Sequence, residues 1–195
     1  MEITIEKHNP IWKSKFIELE NTLSTVLERL NPQIEHIGST SIPELSAKPI
    51  IDIAIGLDSK EQLDQVIQLM IDKGFVYISA FNTIMPERRF FVSIKNRENF
   101  KSEYSNIDQI PNEELHKNKL ANIHTWVLNS SEWTRHIAFR DYLKYNSNVK
   151  NEYQLLKEKL STKNWSDGNE YNNAKNDFMK QEELNAIKWF KEKHR

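Results

Sequence analysis

Residues 34–57 read I-E-H-I-G-S-T-S-I-P-E-L-S-A-K-P-I-I-D-I-A-I-G-L. Two apolar runs, one ending at Ile37 and one spanning Pro49 to Ile55, flank the short polar segment Gly38-Ser39-Thr40-Ser41. Isoleucine, whose branched Cβ suits a pleated strand, dominates both runs, and turn residues interrupt them. The stretch therefore reads as strand, loop or short helix, strand. The loop chemistry suits an anion: Gly38 lets the backbone turn and approach a ligand, and Ser39, Thr40 and Ser41 add hydroxyls beside their own N–H groups. Lys48 adds a compact positive charge a few residues later. An ordinary turn that caps a helix with its hydroxyls has the same composition, and both readings stand at this point. Asp52 is the residue to explain, because a carboxylate among Ile50, Ile51 and Ile53 calls for a cationic partner, a metal or a place at the sheet rim.

The run from His36 to Ile53 resembles the signature of the GrpB family, a group placed in the nucleotidyltransferase superfamily. The superfamily pattern is an apolar residue, Gly, then Gly or Ser, a spacer, and then Asp, an apolar residue and a second acid on a strand. Ile37, Gly38 and Ser39 match its first half and Asp52 its first acid, while Ala54 stands where the second acid would be. Later, H-I-A-F-R-D-Y-L from His136 to Leu143 is similar to the family's Phe-Arg-Asp-Tyr-Leu run. Two Tyr-x-x-x-Lys spacings, Tyr153 with Lys157 and Tyr171 with Lys175, match ones the family shares. The resemblance implies an α+β fold: a nucleotidyltransferase-like mixed β-sheet with packed helices and a helical C-terminal extension. It also implies that Asn122 and His124 face the site.

The 195 residues allow one domain with a full core, which the motifs divide into an α/β part over 1–128 and a helical part over 129–195. A formal charge of −1 provides no field for a nucleic-acid backbone. Without cysteine there are no disulfides, thiolate metal sites or cysteine nucleophiles. The first ten residues lack a signal-peptide profile, and no apolar run approaches the ~20 residues of a membrane span, so a cytoplasmic protein with no membrane partner is expected.

Along the chain, Ile3 to Ile5 suggests a short edge strand. Asn9-Pro10 opens a helix carrying Trp12, Phe16, Leu19, Leu23, Leu27 and Leu30 at close to helical spacing. Ser59 caps a second helix, Gly74 ends it, and Phe75–Ile78 and Arg88–Ile94 read as strands. Arg88 and Arg89 then point to opposite faces, so at most one reaches the Gly38–Asp52 cleft. The polar stretch from Lys95 to Lys119 reads as a long loop of the kind that forms lids, with one helical turn near Glu113. Leu120–Leu128 is a strand in which Asn122 and His124 share a face. Asn129 caps the next helix, a further one runs from Asn148 to Leu160, and a loop at Trp165-Ser166-Asp167-Gly168 precedes a last helix.

Together these pieces outline a cleft for a nucleotide or phosphorylated small molecule. Gly38, Ser39 and Thr40 would hold phosphate oxygens, and Lys48, Arg88 or Arg89, Asn122 and Arg140 would neutralise or hydrogen-bond it. Asp52 would carry one Mg²⁺, and His124 would act as acid, base or donor. Two functional classes follow: a nucleotidyltransferase-like enzyme, or a non-catalytic module that binds a nucleotide or phosphometabolite. With no acid at Ala54, a two-metal site lacks its usual ligands, so the carboxylates near Asp52 decide between them.

Overall fold

The structure, a computed structural model, describes residues 4–165 and 168–194. The decisive stretch folds as read. Strand β1 (Gln33–Ile37) leads through Gly38 and a single 3-10 turn at Ser39–Ser41 into β2 (Ile51–Leu57), which begins two residues later than Pro49. The pair is antiparallel, with Ile37 opposite Asp52. Before it lies helix α1 (Ile11–Val26), whose Ile11 N–H donates to Asn9 Oδ1 at 3.1 Å; a 3-10 turn through Leu30 and left-handed Asn31 then end the segment.

Helix α2 (Lys60–Asp72), capped by Ser59 and closed at Gly74, leads to the short strand β3 (Val76–Tyr77) and to β4 (Arg89–Ile94). Strand β5 (Lys119–Val127) completes a five-stranded mixed sheet in the order β1-β2-β5-β4-β3. Its central pair, β2 with β5, is parallel and the other pairs are antiparallel.

Alternation then divides the chemistry between two faces. Ile51, Ile53, Ile55 and Leu57 of β2, with Ile123 of β5, meet Leu23 and Leu27 from α1 and its end and Leu63, Val66 and Met70 from α2 in the main core. Full burial of such side chains contributes about 1.5–3 kcal/mol each, which fixes the strand register. Asp52, Ala54 and Gly56 are forced to the other face, together with Asn122, His124 and Trp126. That face is covered at one end by α4 (Ser131–Tyr145), against which α5 (Ser147–Ser161) and α7 (Asn176–Lys193) pack, with the short α6 (Gly168–Asn173) between those two in sequence.

Several expectations are corrected. Ile3 lies outside the described residues, and Glu6 makes only an isolated bridge with Ala47 in place of an edge strand. The stretch after β4 is not an open lid. Two 3-10 turns and the short helix α3 (Asn112–Asn118) bring Phe100, Tyr104, Ile110 and Leu115 against Val76, Ile78, Val92 and Ile94 in a second core. These apolar residues follow neither a helical nor a strand period, because the backbone that presents them is irregular. Asn129 adopts φ 61° and turns the chain, leaving extended Ser130 to cap α4 by accepting from Trp133 N–H at 3.4 Å. Of the loop expected before the last helix, Ser166 and Asp167 lie outside the described residues. The helix itself is broken into α6 and α7 around Ala174 and Lys175.

Candidate functional site

The Gly38 turn and the start of β2 fit together tightly. Gly38 has φ 68°, and a Cβ there would collide with Asp52 Oδ2 and lie 2.9 Å from Asp52 Cβ, so the position excludes other residues on both counts. Asp52 Oδ1 accepts from Asn122 Nδ2 at 2.8 Å, across a register that sets the two residues side by side. The Asp52 residue keeps some contact with solvent, but its carboxyl sits deep enough for desolvation to raise its pKa; Asn122, Lys119, Lys175 and Lys48 act in the opposite direction.

Those lysines define the site. Lys48 arrives from the loop before β2, Lys119 is the first residue of β5, and Lys175 sits at the break between α6 and α7. Two of the ammonium groups meet the Tyr171 ring, Lys48 Nζ at 4.7 Å and Lys175 Nζ at 4.4 Å from its centroid. A fourth, Lys157, is 2% exposed; it donates to Ser39 Oγ at 3.3 Å and to the Ser46 carbonyl, and lies 4.7 Å from the Tyr153 ring centroid. Burial and neighbouring cations push Lys48 and Lys175 down to about 8 and Lys157 to about 7; burial lowers Lys119 as well. Among the described residues none of the four is in an ion pair with a carboxylate. Three cations act on one carboxylate and a fourth sits against Ser39 of the adjoining turn, so the site lacks negative charge.

The expected site residues separate into two sets. Gly38, Ser39, Lys48, Asp52 and Asn122 come together. His124 is one residue pair further along the same face, with Arg88 Nη1 3.4 Å from its Nδ1. Thr40 is buried and its hydroxyl meets His36 Nε2 at 3.0 Å, on the side where His36 stacks on Phe16 of α1. Arg89 points to the opposite face and pairs with Asp64 of α2 at 2.7 Å. Arg140 binds Glu35 at 2.6 Å, Asp141 at 2.7 Å and the His36 carbonyl at 3.1 Å, and so ties α4 to β1. Lys119, Lys157 and Lys175 were not singled out as ligands from sequence, although the repeated Tyr-x-x-x-Lys spacing marked two of them.

The residues present do not fit Mg²⁺. Hard divalent cations take two or three carboxylate oxygens, and here one carboxylate lies beneath several ammonium groups and receives a hydrogen bond from an amide. The position of the missing second acid is filled in a different way. Ala54 is fully buried with Ile37, Trp126 and Trp133, and a Cβ on neighbouring Gly56 would meet Leu128 and Trp133. An ionised side chain at Ala54 would sit in an apolar wedge. Among the described residues there is no group of three or more His, Cys, Asp or Glu positioned to hold a metal.

Comparison with known proteins agrees with this architecture. A curated relative described as glutamate-rich protein GrpB, from Alkalihalophilus pseudofirmus, is 27% identical over 179 residues, covering 91% of this chain and 92% of its own. The crystal structure of conserved protein GrpB from Enterococcus faecalis superposes with a TM-score of 0.74 at 26% identity, over 96% of this chain and 99% of that one. The RNA terminal uridylyl transferase Cid1 gives a TM-score of 0.48 at 14% identity, over 78% of this chain and 40% of Cid1, a likeness that assigns no activity or ligand here. The model of the GrpB protein family matches residues 2–183, and the chain therefore belongs to that family.

Proposed function

We propose that this protein binds a phosphorylated small molecule, with nucleotides among the candidates, in the cleft formed by the Gly38 turn, Asp52–Asn122 and the surrounding lysines, and that it does so without a divalent cation. The observation that carries this is the convergence of Lys48, Lys119 and Lys175 on one carboxylate, with Lys157 held against Ser39 of the adjoining turn and none of the four in an ion pair with an acid among the described residues. Phosphate oxygens would supply the missing negative charge and accept from the ammonium groups and the Ser39 hydroxyl. In this reading the lysines do what metal ions do in a two-metal transferase, which is to neutralise phosphate. They do not clamp the attacking and leaving oxygens together as a pair of metal ions would, so binding is favoured over transfer. Asp52 holds the amide of Asn122 and limits the net positive charge of the ligand-free cleft.

The test is the thermal midpoint of the purified protein against nucleotides, pyrophosphate and tripolyphosphate, with and without Mg²⁺. A ligand at a hundredfold excess over its dissociation constant stabilises by ~2.7 kcal/mol through mass action. Stabilisation that needs no Mg²⁺ and weakens at least tenfold in affinity in Lys119→Met or Lys175→Met is expected. Stabilisation that requires Mg²⁺ and disappears in Asp52→Asn would replace this reading with the metal-dependent transferase, and no stabilisation by any phosphate compound would remove both.

A further inference from the structure

On the same face, Arg88 has aromatic neighbours, and the acid that acts on it through space, Glu132, makes its ion pair with Arg135. Its guanidinium carbon lies 5.0 Å from the Phe90 ring centroid and 5.8 Å from that of Phe81, and Nη1 is 3.4 Å from His124 Nδ1. Among the described residues it contacts no carboxylate, and its remaining N–H donors have no protein acceptor. This sets it apart from Arg135 on the neighbouring helix, which is bound by both Glu132 and Glu183.

His124 is held just as firmly. Its Nδ1 faces the arginine and so accepts, which places its proton on Nε2. The ring stacks on Trp126 at 5.2 Å with an interplanar angle of 8°, and His136 packs 5.9 Å away. His136 Nδ1 donates to the Glu132 carbonyl at 2.8 Å.

The Arg88–His124 group and the lysine group share one floor. Asn122 and His124 are two residues apart on β5, a rise of roughly 7 Å, and point the same way. A guanidinium presents parallel N–H donors that match the two oxygens of a carboxylate or phosphate.

We infer that Arg88 and His124 form a second anion subsite, so that the ligand carries two anionic groups on the order of 7–10 Å apart. This rests on the lysine group being the first subsite. The ligand class is then an extended molecule with a phosphate at one end and a second phosphate or a carboxylate at the other, in contrast to a monoanionic metabolite.

The experiment is isothermal titration at constant ionic strength with two probe series. Orthophosphate, pyrophosphate and tripolyphosphate form one series; methylphosphonate, phosphonoacetate and 5-phosphonopentanoate form the other. Tripolyphosphate, 5-phosphonopentanoate or both are expected to bind at least tenfold more tightly than the single-anion member of their series. Which series shows the gain identifies the second group as phosphate or carboxylate. In Arg88→Met the ratio of long-probe to single-anion affinity should fall to about one. Arg88→Lys, which keeps the charge but loses the planar fork, should retain part of it, and Arg89→Met on the other face should leave it unchanged. If the wild-type protein binds orthophosphate but gains nothing from a longer probe, or if Arg88→Met leaves the ratio intact, the second subsite is wrong while the lysine site stands. If no probe binds at all, the lysine reading falls and the second subsite falls with it.

Discussion

Two sets of basic side chains face the same side of the sheet and are treated in opposite ways. On α4, Arg140 is held by Glu35 and Asp141 and Arg135 by Glu132 and Glu183, so each guanidinium is matched by carboxylates from its own helix and from another element. Around Asp52, the ammonium groups of Lys48, Lys119 and Lys175 share one acid that is already hydrogen-bonded by Asn122, and Lys157 stands beside Ser39 of the adjoining turn. Matched cations fasten elements together. Unmatched ones, desolvated and crowded, are costly to the folded chain by themselves, and that cost is consistent with a ligand that relieves it. Both sets look alike in a list of basic residues, and only the count of nearby acids separates them.

The largest effect that would break this contrast comes from the matched set. Arg140→Met leaves two partly buried carboxylates and the His36 carbonyl without their donor. It is expected to cost about 2–3 kcal/mol, a fall of roughly 5–10 °C in the midpoint for a chain of this size. Phosphate affinity should be unchanged, since Arg140 is spent on Glu35 and Asp141. If stability is unaffected and ligand binding collapses, Arg140 belongs to the cleft and the division drawn here is wrong.

The unmatched set should respond with the opposite sign. Lys119→Met removes a desolvated cation that has no acid in contact and keeps the apolar stem, so the ligand-free protein should gain up to about 1 kcal/mol, roughly 2–4 °C. The same variant should lose ligand affinity. Stability gained and binding lost in one substitution is the signature of a site held open for an anion. A loss of both would mean that Lys119 makes a structural contact instead.

How much of this was legible in the sequence depends on whether a residue's role is local. Gly38 and Asp52 could be read because one strand–turn–strand unit creates their relation: the turn needs φ > 0, and the strand puts a carboxylate among isoleucines. Strand alternation gave only that Arg88 opposes Arg89 and that Asn122 and His124 share a face; it was the family resemblance that turned the latter pair toward the site. Lys119 was hidden because it ends an irregular stretch and only the pairing of β5 with β2 brings it to Asp52. Lys157 and Lys175 approach from helices more than a hundred residues away in sequence, and nothing but the repeated Tyr-x-x-x-Lys spacing pointed to them. Arg140 misled for a chemical reason: the fork that fits phosphate fits carboxylate equally well, and its partner Glu35 lies on a distant strand. Ala54 showed that an acid was missing, but the tryptophan wedge that fills its place is visible only in three dimensions.

The smallest effect, and the one that isolates the lysines as a group, is the dependence on pH. Lys157 titrates near 7 and Lys48 and Lys175 near 8 in the folded protein, against about 10.4 in an unfolded chain. Between these values the unfolded state binds more protons, so the stability contributed by these groups is full above the unfolded value and is lost as pH falls towards 7. The ligand-free midpoint should therefore climb from pH 7 to 9. Below pH 6.5 it should drop again, because His36 and His136 are buried neutral groups that titrate near 4. An anion in the cleft favours charged lysines and reverses the upper trend, so its stabilising effect should be greatest near pH 6.5–7 and shrink towards pH 9–10. Sulfate is the probe of choice, since its charge is constant over this range whereas that of phosphate grows. The double variant Lys119→Met, Lys175→Met, measured in parallel, removes the general salting effect of sulfate. If the difference between wild type and double variant is flat with pH or widens as the solution becomes alkaline, the lysines are not what holds the anion, and the contrast between matched and unmatched cations loses its functional meaning.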